Sequence, residues 1–164
     1  MAYIRGFALF VAGVLVGTVV MQHAAAQESK TTGVRLNHVG IAVANVQETL
    51  DFYTKVMGFR IAYNNGRNGQ PGNNFLQISR DTFLEVAQAG ANAPVGITHI
   101  GIGTEDADAT VAQLRQAGAT VPDVRPGGPS GSRLSNITDP NGIRFELNEQ
   151  PAGSSMRKAI DSWK

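Results

Sequence analysis

The sequence predicts an α+β fold made of two tandem βαβββ modules, each a strand, a helix and three further strands. Two pairs of matching segments carry this prediction. The segment 36–43 resembles the segment 97–104, and the segment 83–86 resembles the segment 144–147. Between these markers each half runs through the same order of apolar patterns, as an internally repeated unit does. The modules are predicted at residues 35–90 and 96–150.

Residues 1–26 have the pattern of a secretory signal peptide and stand apart from that fold. Arg5 precedes an apolar run over residues 7–21, and the small residues that end at Ala26 have the A-x-A pattern of a cleavage site. The run is about 15 residues long, whereas a membrane-spanning helix needs roughly 20. We therefore expect cleavage after Ala26, a linker at residues 27–34 and a periplasmic or secreted protein. An uncleaved membrane anchor is the alternative.

The first module contains one helix, predicted over Val46–Met57. Asn45 is its N-cap candidate, apolar residues recur at helical spacing, and Gly58 ends it. Alternation of apolar and polar residues predicts the strands that follow. These strands are expected at Arg60–Tyr63, Phe75–Ser79 and Thr82–Ala87.

The second module repeats this order, with a helix predicted over Asp106–Ala117. Its later strands are expected at Thr120–Val124, Arg133–Thr138 and Ile143–Asn148. Residues 139–142 have the turn chemistry that closes the last hairpin. Residues 151–164 follow as a C-terminal helix, which docks either on the domain or on a partner subunit. Its apolar side comprises Met156, Ala159, Ile160 and Trp163.

Composition excludes several kinds of function. The chain has 164 residues with 14 basic and 13 acidic side chains, so its net charge of +1 gives no reason to expect a nucleic-acid partner. It contains no cysteine, which excludes thiolate nucleophiles, thiolate metal ligands and disulfides. Any chemistry must therefore use histidine, carboxylates, hydroxyls or a metal ion.

Strand alternation places the matched polar residues on one face of the sheet. The apolar residues of each first strand point towards the helix, so the histidines point to the opposite, open face. The same parity puts the matched glutamates on the open face. This set comprises His38, Glu85, His99 and Glu146. The two histidines are 61 positions apart, and so are the two glutamates. Small neighbours such as Gly40 and Gly101 are expected to leave room there for a ligand.

Two imidazoles and two carboxylates on one face suit a divalent transition metal ion. These nitrogen and oxygen donors fit zinc, nickel, cobalt, manganese and ferrous iron alike, so the identity of the metal stays open. The alternative is that duplication copied a histidine and a glutamate whose role is hydrogen bonding.

Three phrases make the chain resemble the vicinal oxygen chelate superfamily. They are L-x-H-V-x-I-x-V at residues 36–43, F-Y-T-K-V-M-G-F at 52–59 and D-P-x-G-x-x-x-E-L at 139–147. That superfamily includes glyoxalase I and the bleomycin-resistance proteins, and the resemblance covers about residues 35–150. It implies a curved mixed sheet with a metal cleft. The ligand order of glyoxalase I implies His38, Glu85, His99 and Glu146 as metal ligands.

The resemblance also implies an activity, that of a lyase or isomerase acting on a small substrate with two vicinal oxygens. A bound metal ion would polarise those oxygens and stabilise an enediolate-like intermediate. Glu146 is then the expected proton-moving base, and Glu85 is a second carboxylate across the substrate. Ala42 and Ala89 stand where bacterial glyoxalase I has an arginine and an asparagine for glutathione, so glutathione recognition is not expected.

Other interpretations stay open at this point. A non-catalytic small-molecule binding or resistance protein has the same fold, and a fosfomycin-type thiol transferase needs only two histidines and one glutamate. An extradiol dioxygenase is disfavoured, because four protein ligands leave too few open positions on the metal. One chain closes the site, or two chains pair in a homodimer. Arg144 shares the face of Glu146, where we favour pairing with a metal-site acid over contact with a substrate carboxylate.

Overall fold

The computed structural model describes residues 33–66, 68 and 71–164, and these residues form one mixed sheet of eight strands with three α-helices. The predicted signal peptide, residues 1–26, lies outside the described residues. The strands are β1 Arg35–Val43, β2 Arg60–Asn64, β3 Asn74–Ser79, β4 Thr82–Gln88, β5 Gly96–Thr104, β6 Arg125–Pro126, β7 Arg133–Thr138 and β8 Arg144–Glu149.

The helices begin where capping residues are available. They are α1 Val46–Asp51, α2 Ala107–Gln116 and α3 Ser155–Asp161. The side chains of Asn45, Asp106 and Ser154 each accept a hydrogen bond from the backbone N–H three residues later. The predicted first helix differs in one respect, because α1 continues as a π-helical turn over Phe52–Val56. None of the helices in the described residues is long and apolar enough to cross a membrane.

The strand order is β2-β3-β4-β1-β5-β8-β7-β6, so the two predicted modules meet at the centre of one sheet. β1 is parallel to β4, β5 is parallel to β8, and the two first strands, β1 and β5, pair antiparallel with each other. A single chain therefore brings the first strands of both modules together, which the sequence had left open.

The strand predicted at Thr120–Val124 is wrong, since regular pairing at this edge is limited to β6, Arg125–Pro126. Side chains take the carbonyl groups that a neighbouring strand would otherwise bind. Arg115 donates to the Val121 carbonyl at 2.6 and 2.9 Å, and Ser135 donates to the Pro122 carbonyl at 2.7 Å. Pro122 also lacks the N–H that a sheet requires.

The helix-facing side of the sheet carries the apolar residues that strand parity predicted. In the first module Leu76, Leu84 and Val86 form a buried cluster against which Val39 and Ile41 pack. In the second module, the buried cluster comprises Val111, Val121 and Leu147. The polar residues of β1, β4, β5 and β8 are therefore left on the opposite face.

The C-terminal helix docks on the domain itself and covers part of the open face of the first module. Met156, Ala159 and Ile160 pack with Phe75 and Phe83 in a buried cluster. Arg60 secures the end of α3 by donating to the Ala159 carbonyl at 3.1 Å, and its guanidinium lies 5.5 Å from the centre of the Trp163 ring. The helix thus closes one side of the open face.

Candidate metal centre

The four residues predicted as metal ligands come together at the centre of the sheet. His38 on β1 and His99 on β5 are buried, and their Nε2 atoms lie 2.9 Å apart. Glu85 on β4 places Oε2 at 3.4 Å from Nε2 of His38 and 3.2 Å from Nε2 of His99. Glu146 on β8 places Oε1 at 3.7 Å from Nε2 of His38.

Two irregularities in the β1–β5 pairing lie beside the histidines. The register shifts once between Leu36 and His38, which leaves Asn37 without a partner across the ladder. It shifts again where Gly40 faces His99 and Ile41 faces Ile97, which leaves Thr98 without one. A β-bulge of this kind re-aims the side chains next to it. Each module therefore has a bulged residue immediately before its histidine.

Each bulged residue holds the histidine that follows it. Nδ1 of His38 lies 2.9 Å from Oδ1 of the buried Asn37, and Nδ1 of His99 lies 3.0 Å from Oγ1 of Thr98. An amide oxygen only accepts, so this contact is made by a protonated Nδ1 of His38, and it turns Nε2 towards the centre of the site. These two positions were missed from the sequence, although each directly precedes a matched histidine.

Glycines opposite the histidines provide the space for their rings. A Cβ atom on Gly101 would lie 2.1 Å from Cε1 and Nδ1 of His38, and one on Gly40 would lie 2.1 Å from Cε1 of His99. The room that the sequence predicted for a ligand is therefore occupied by the imidazole of the other module. The glycines allow the two rings to cross between strands and meet.

Glu85 is the more firmly held of the two carboxylates. Burial alone would raise its pKa, but hydrogen bonds and charge interactions with His38 and His99 outweigh burial and lower the pKa well below its ordinary value. Its other oxygen, Oε1, accepts a hydrogen bond from Nδ2 of Asn73. Glu85 is therefore ionised at neutral pH and fixed from two sides. No sequence signal marked Asn73, which ends a polar loop.

Glu146 is less constrained than Glu85. Within the described residues its carboxylate takes part in no hydrogen bond, and its contact with His38 is the 3.7 Å approach given above. Its side chain is 13% exposed. Across the ladder it faces Asn136 on β7. The Glu146 carboxylate is thus shielded from bulk water and, among the described residues, is not fixed by a hydrogen bond.

Tyr63 on β2 lies near the carboxylates of Glu85 and Glu146. Its ring stacks on Phe75 with the centroids 4.5 Å apart. Burial, followed by the negative charges of Glu85 and Glu146, raises the pKa of Tyr63 far above its ordinary value. The phenol therefore stays protonated and is a neutral hydrogen-bond donor near the two carboxylates. Sequence analysis gave it no role.

The donor set fits a divalent metal ion. One ligand atom each from His38, His99 and Glu146 lie within 4.8 Å of one another. Bonds of about 2.0–2.2 Å from a metal to nitrogen and oxygen place adjacent ligands roughly 3 Å apart. The separations of 2.9 to 3.4 Å among the two Nε2 atoms and Glu85 agree with that spacing. Both Nε2 atoms point inwards, as a metal ion held between the two rings would need.

Comparison with known proteins agrees with this architecture. The family model described as Glyoxalase/Bleomycin resistance protein/Dioxygenase superfamily matches residues 35–147. The chain belongs to this superfamily. Its resemblance to a lactoylglutathione lyase, GLX1 of Arabidopsis thaliana, is 30% identity over 124 residues, covering 69% of this chain and 43% of that protein. The chain therefore spans less than half the length of this curated relative.

Solved structures of superfamily members share the fold. A variant methylmalonyl-CoA epimerase of Streptomyces coelicolor, in complex with 2-nitronate-propionyl-CoA, is 26% identical with a TM-score of 0.62 and covers 73% of this chain and 96% of its own. A methylmalonyl-CoA epimerase in complex with methylmalonyl-CoA and NH4+ is 25% identical with a TM-score of 0.64, covering 75% and 99%. The methylmalonyl-CoA epimerase from Mycobacterium tuberculosis is 23% identical with a TM-score of 0.63, and the match covers 77% of this chain and 95% of that chain. At this identity the likeness shows the fold alone. The resemblance and fold class predicted from the sequence are confirmed.

Proposed function

We propose that the chain is an exported, metal-dependent isomerase or lyase that moves a carbon-bound proton of a small substrate with two adjacent oxygens. The contrast between the two carboxylates carries this proposal. Glu85 is fixed by Asn73 and both histidines, whereas Glu146 is unbonded within the described residues. We assign the held carboxylate as a metal ligand and the one without a hydrogen bond as the group that moves the proton.

The roles of the residues follow from their contacts. His38 and His99 present Nε2 to the ion, and Asn37 and Thr98 keep their rings in that orientation. When bound, a divalent ion supplies Lewis-acid stabilisation of negative charge on the two substrate oxygens. Glu146 turns towards the substrate, accepts the proton from carbon and returns it to the product.

The relatives support this class of reaction and leave the substrate open. The relatives are named as a lyase and as epimerases. Epimerisation at an acidic carbon removes a proton from that carbon and returns it. Glutathione conjugates are disfavoured as substrates, because Ala42 and Ala89 carry no polar group with which to bind glutathione.

A thiol transferase is the second candidate. Its expected ligand set of two histidines and one glutamate coincides with the group formed by His38, His99 and Glu146. A non-catalytic binding protein would use the same cleft without turnover. These alternatives differ in products, since a transferase consumes a thiol and a binding protein leaves its ligand unchanged.

The decisive experiment follows hydrogen exchange on carbon. The mature protein is first analysed for metal, with His38→Ala as the variant expected to lose it. Proton NMR in D2O then follows loss of carbon-bound hydrogen from a panel of acyl-CoA esters, hemithioacetals and 2-oxo acids. We expect the wild type to exchange one substrate hydrogen and Glu146→Gln to hold metal but lose exchange by a factor of at least about 100.

Controls separate the candidate functions. Glu48→Gln, in the exposed first turn of α1, should behave as the wild type. Full exchange in Glu146→Gln, with metal retained, would refute the proposed role of Glu146. Metal and tight ligand binding without exchange would favour the binding protein instead, and loss of free thiol would favour the transferase.

Export is a separate part of the proposal. It is supported by the apolar run at residues 7–21 and the alanines that follow. N-terminal sequencing of the native protein is expected to begin at Gln27. A mature protein that still begins at Met1 would favour the uncleaved anchor.

A further inference from the structure

We propose that Arg144 binds a carboxylate of the substrate beside the metal centre, so that the site acts on small organic acids. This inference rests on the proposed function, since it names the substrate class of the same site. It depends on the position of Arg144, on its lack of an acidic partner and on the crevice that it lines.

The guanidinium of Arg144 lies in the row of residues next to Glu146. The two residues are two positions apart on β8, so their side chains share a face and are separated by roughly 6.6 Å along the strand. Asn136 on β7 pairs directly with Glu146. Nη1 of Arg144 donates to Oδ1 of Asn136 at 3.2 Å. The guanidinium therefore contacts the residue that pairs with Glu146.

Arg144 has no acidic partner among the described residues. The expectation that it pairs with a metal-site acid is therefore wrong, because its contact is with a neutral amide. Arg133 on β7 shows the contrast, since it lies 2.6 Å from Asp108 and 2.9 Å from Glu149. An amide satisfies one N–H of a guanidinium and leaves its charge uncompensated.

The charges at the site favour an anionic ligand. A divalent ion with the carboxylates of Glu85 and Glu146 sums to zero, and Arg144 then leaves a net charge of about +1. A substrate carboxylate would neutralise this charge. It also matches the geometry of a guanidinium, which binds carboxylates through two parallel hydrogen bonds.

The crevice beside the metal centre has room for such a molecule. It has a volume of about 410 Å³ and is lined by residues at the starts of β5 and β8, including Ile97, His99, Ile143 and Arg144. Ile97 is 74% exposed and Ile143 is 48% exposed, so the crevice that His99 and Arg144 line also offers apolar surface. The substrate class is thus a small acid in which a short apolar segment joins the chelating oxygens to a separate carboxylate.

Two matched probes test this inference on the cobalt-loaded mature protein. 2-Oxoglutarate and 2-oxopentanoate share a chelating 2-oxo acid group and a five-carbon chain, and only the first carries a terminal carboxylate. Calorimetry is expected to give at least about tenfold tighter binding of 2-oxoglutarate. Arg144→Gln should abolish that preference, Arg144→Lys should retain part of it, and Arg80→Gln, in an exposed turn, should leave it unchanged.

The outcomes distinguish this inference from the proposed function. Unchanged cobalt affinity and melting temperature in Arg144→Gln would show that the variant is folded and that any lost preference is due to the cation. Equal binding of the two probes by the wild type, a preference that persists in Arg144→Gln, or binding of neither probe would overturn the role of Arg144. The proton-exchange assay would still stand in those cases. Failure of the wild type to bind cobalt would overturn the proposed function as well.

Discussion

Substituting Gly101 by alanine should dismantle the metal centre without touching a ligand. The new Cβ would lie 2.1 Å from Cε1 and Nδ1 of His38, whereas ordinary contacts begin at 3.4 Å. The imidazole must therefore move by about 1.3 Å in a close-packed interior. Metal–ligand bonds tolerate a displacement of only about 0.2 Å. We expect cobalt affinity to fall at least about 100-fold and overpacking to cost about 1–3 kcal/mol of unfolding free energy.

Gly103→Ala is the matched control, because Gly103 lies two residues further along the same strand and face. Its Cβ would be 3.3 Å from Cβ of Asn37 and 3.5 Å from Cγ of Arg35, a crowding that a few tenths of an ångström relieves. Calorimetric titration with cobalt and urea unfolding of the metal-free protein should be carried out on both variants. Because the crowding falls on Asn37, which holds His38, Gly103→Ala is expected to weaken cobalt binding far less than Gly101→Ala does and to stay close to the wild type in unfolding free energy.

The comparison has a clear refuting result. If Gly101→Ala binds cobalt as the wild type does, His38 is not held against Gly101 in the way described. If both variants lose affinity equally, the effect belongs to general disturbance of β5 and not to the clash with the imidazole.

Three further predictions concern other parts of the molecule. Asn37→Ala should weaken cobalt binding about 10- to 100-fold. Asn37→Asp keeps an acceptor for the imidazole and should restore most of that affinity. Equal cobalt affinities of the two variants would contradict the positioning role of Asn37. Met156→Ala should cost about 2–4 kcal/mol in urea unfolding, because Met156 is fully buried on the inner side of α3, whereas Met57→Ala, at a 51% exposed site, should cost less than about 0.5 kcal/mol. The folded state lowers the pKa of Glu85, so its carboxylate stabilises the metal-free protein above about pH 4.5 and this contribution is lost as the pH falls; melting temperatures between pH 6 and 3 should decline less steeply in Glu85→Gln.

Much of the fold and the identity of the candidate ligands could be predicted from local patterns. Strand alternation assigned His38, Glu85, His99 and Glu146 to the open face, and the structure brings the four together there. Helix starts followed from capping residues such as Asn45. These features are local, because a side chain's face and a helix cap depend on residues within a few positions. Their role as metal ligands stays a prediction until metal is measured.

The tertiary structure decided how these residues meet. Parity assigns a face but not a neighbour across the ladder, and the bulges at Asn37 and Thr98 shift the register in a way that alternation does not encode. Asn73 bonds Glu85, 12 positions away, and Arg144 bonds Asn136, 8 positions away on another strand. The sequence by itself therefore determined which side chains share the site. Only the packing of strands determined which glutamate is held, which is free and where a cation lacks an acid, since those properties depend on distances between segments.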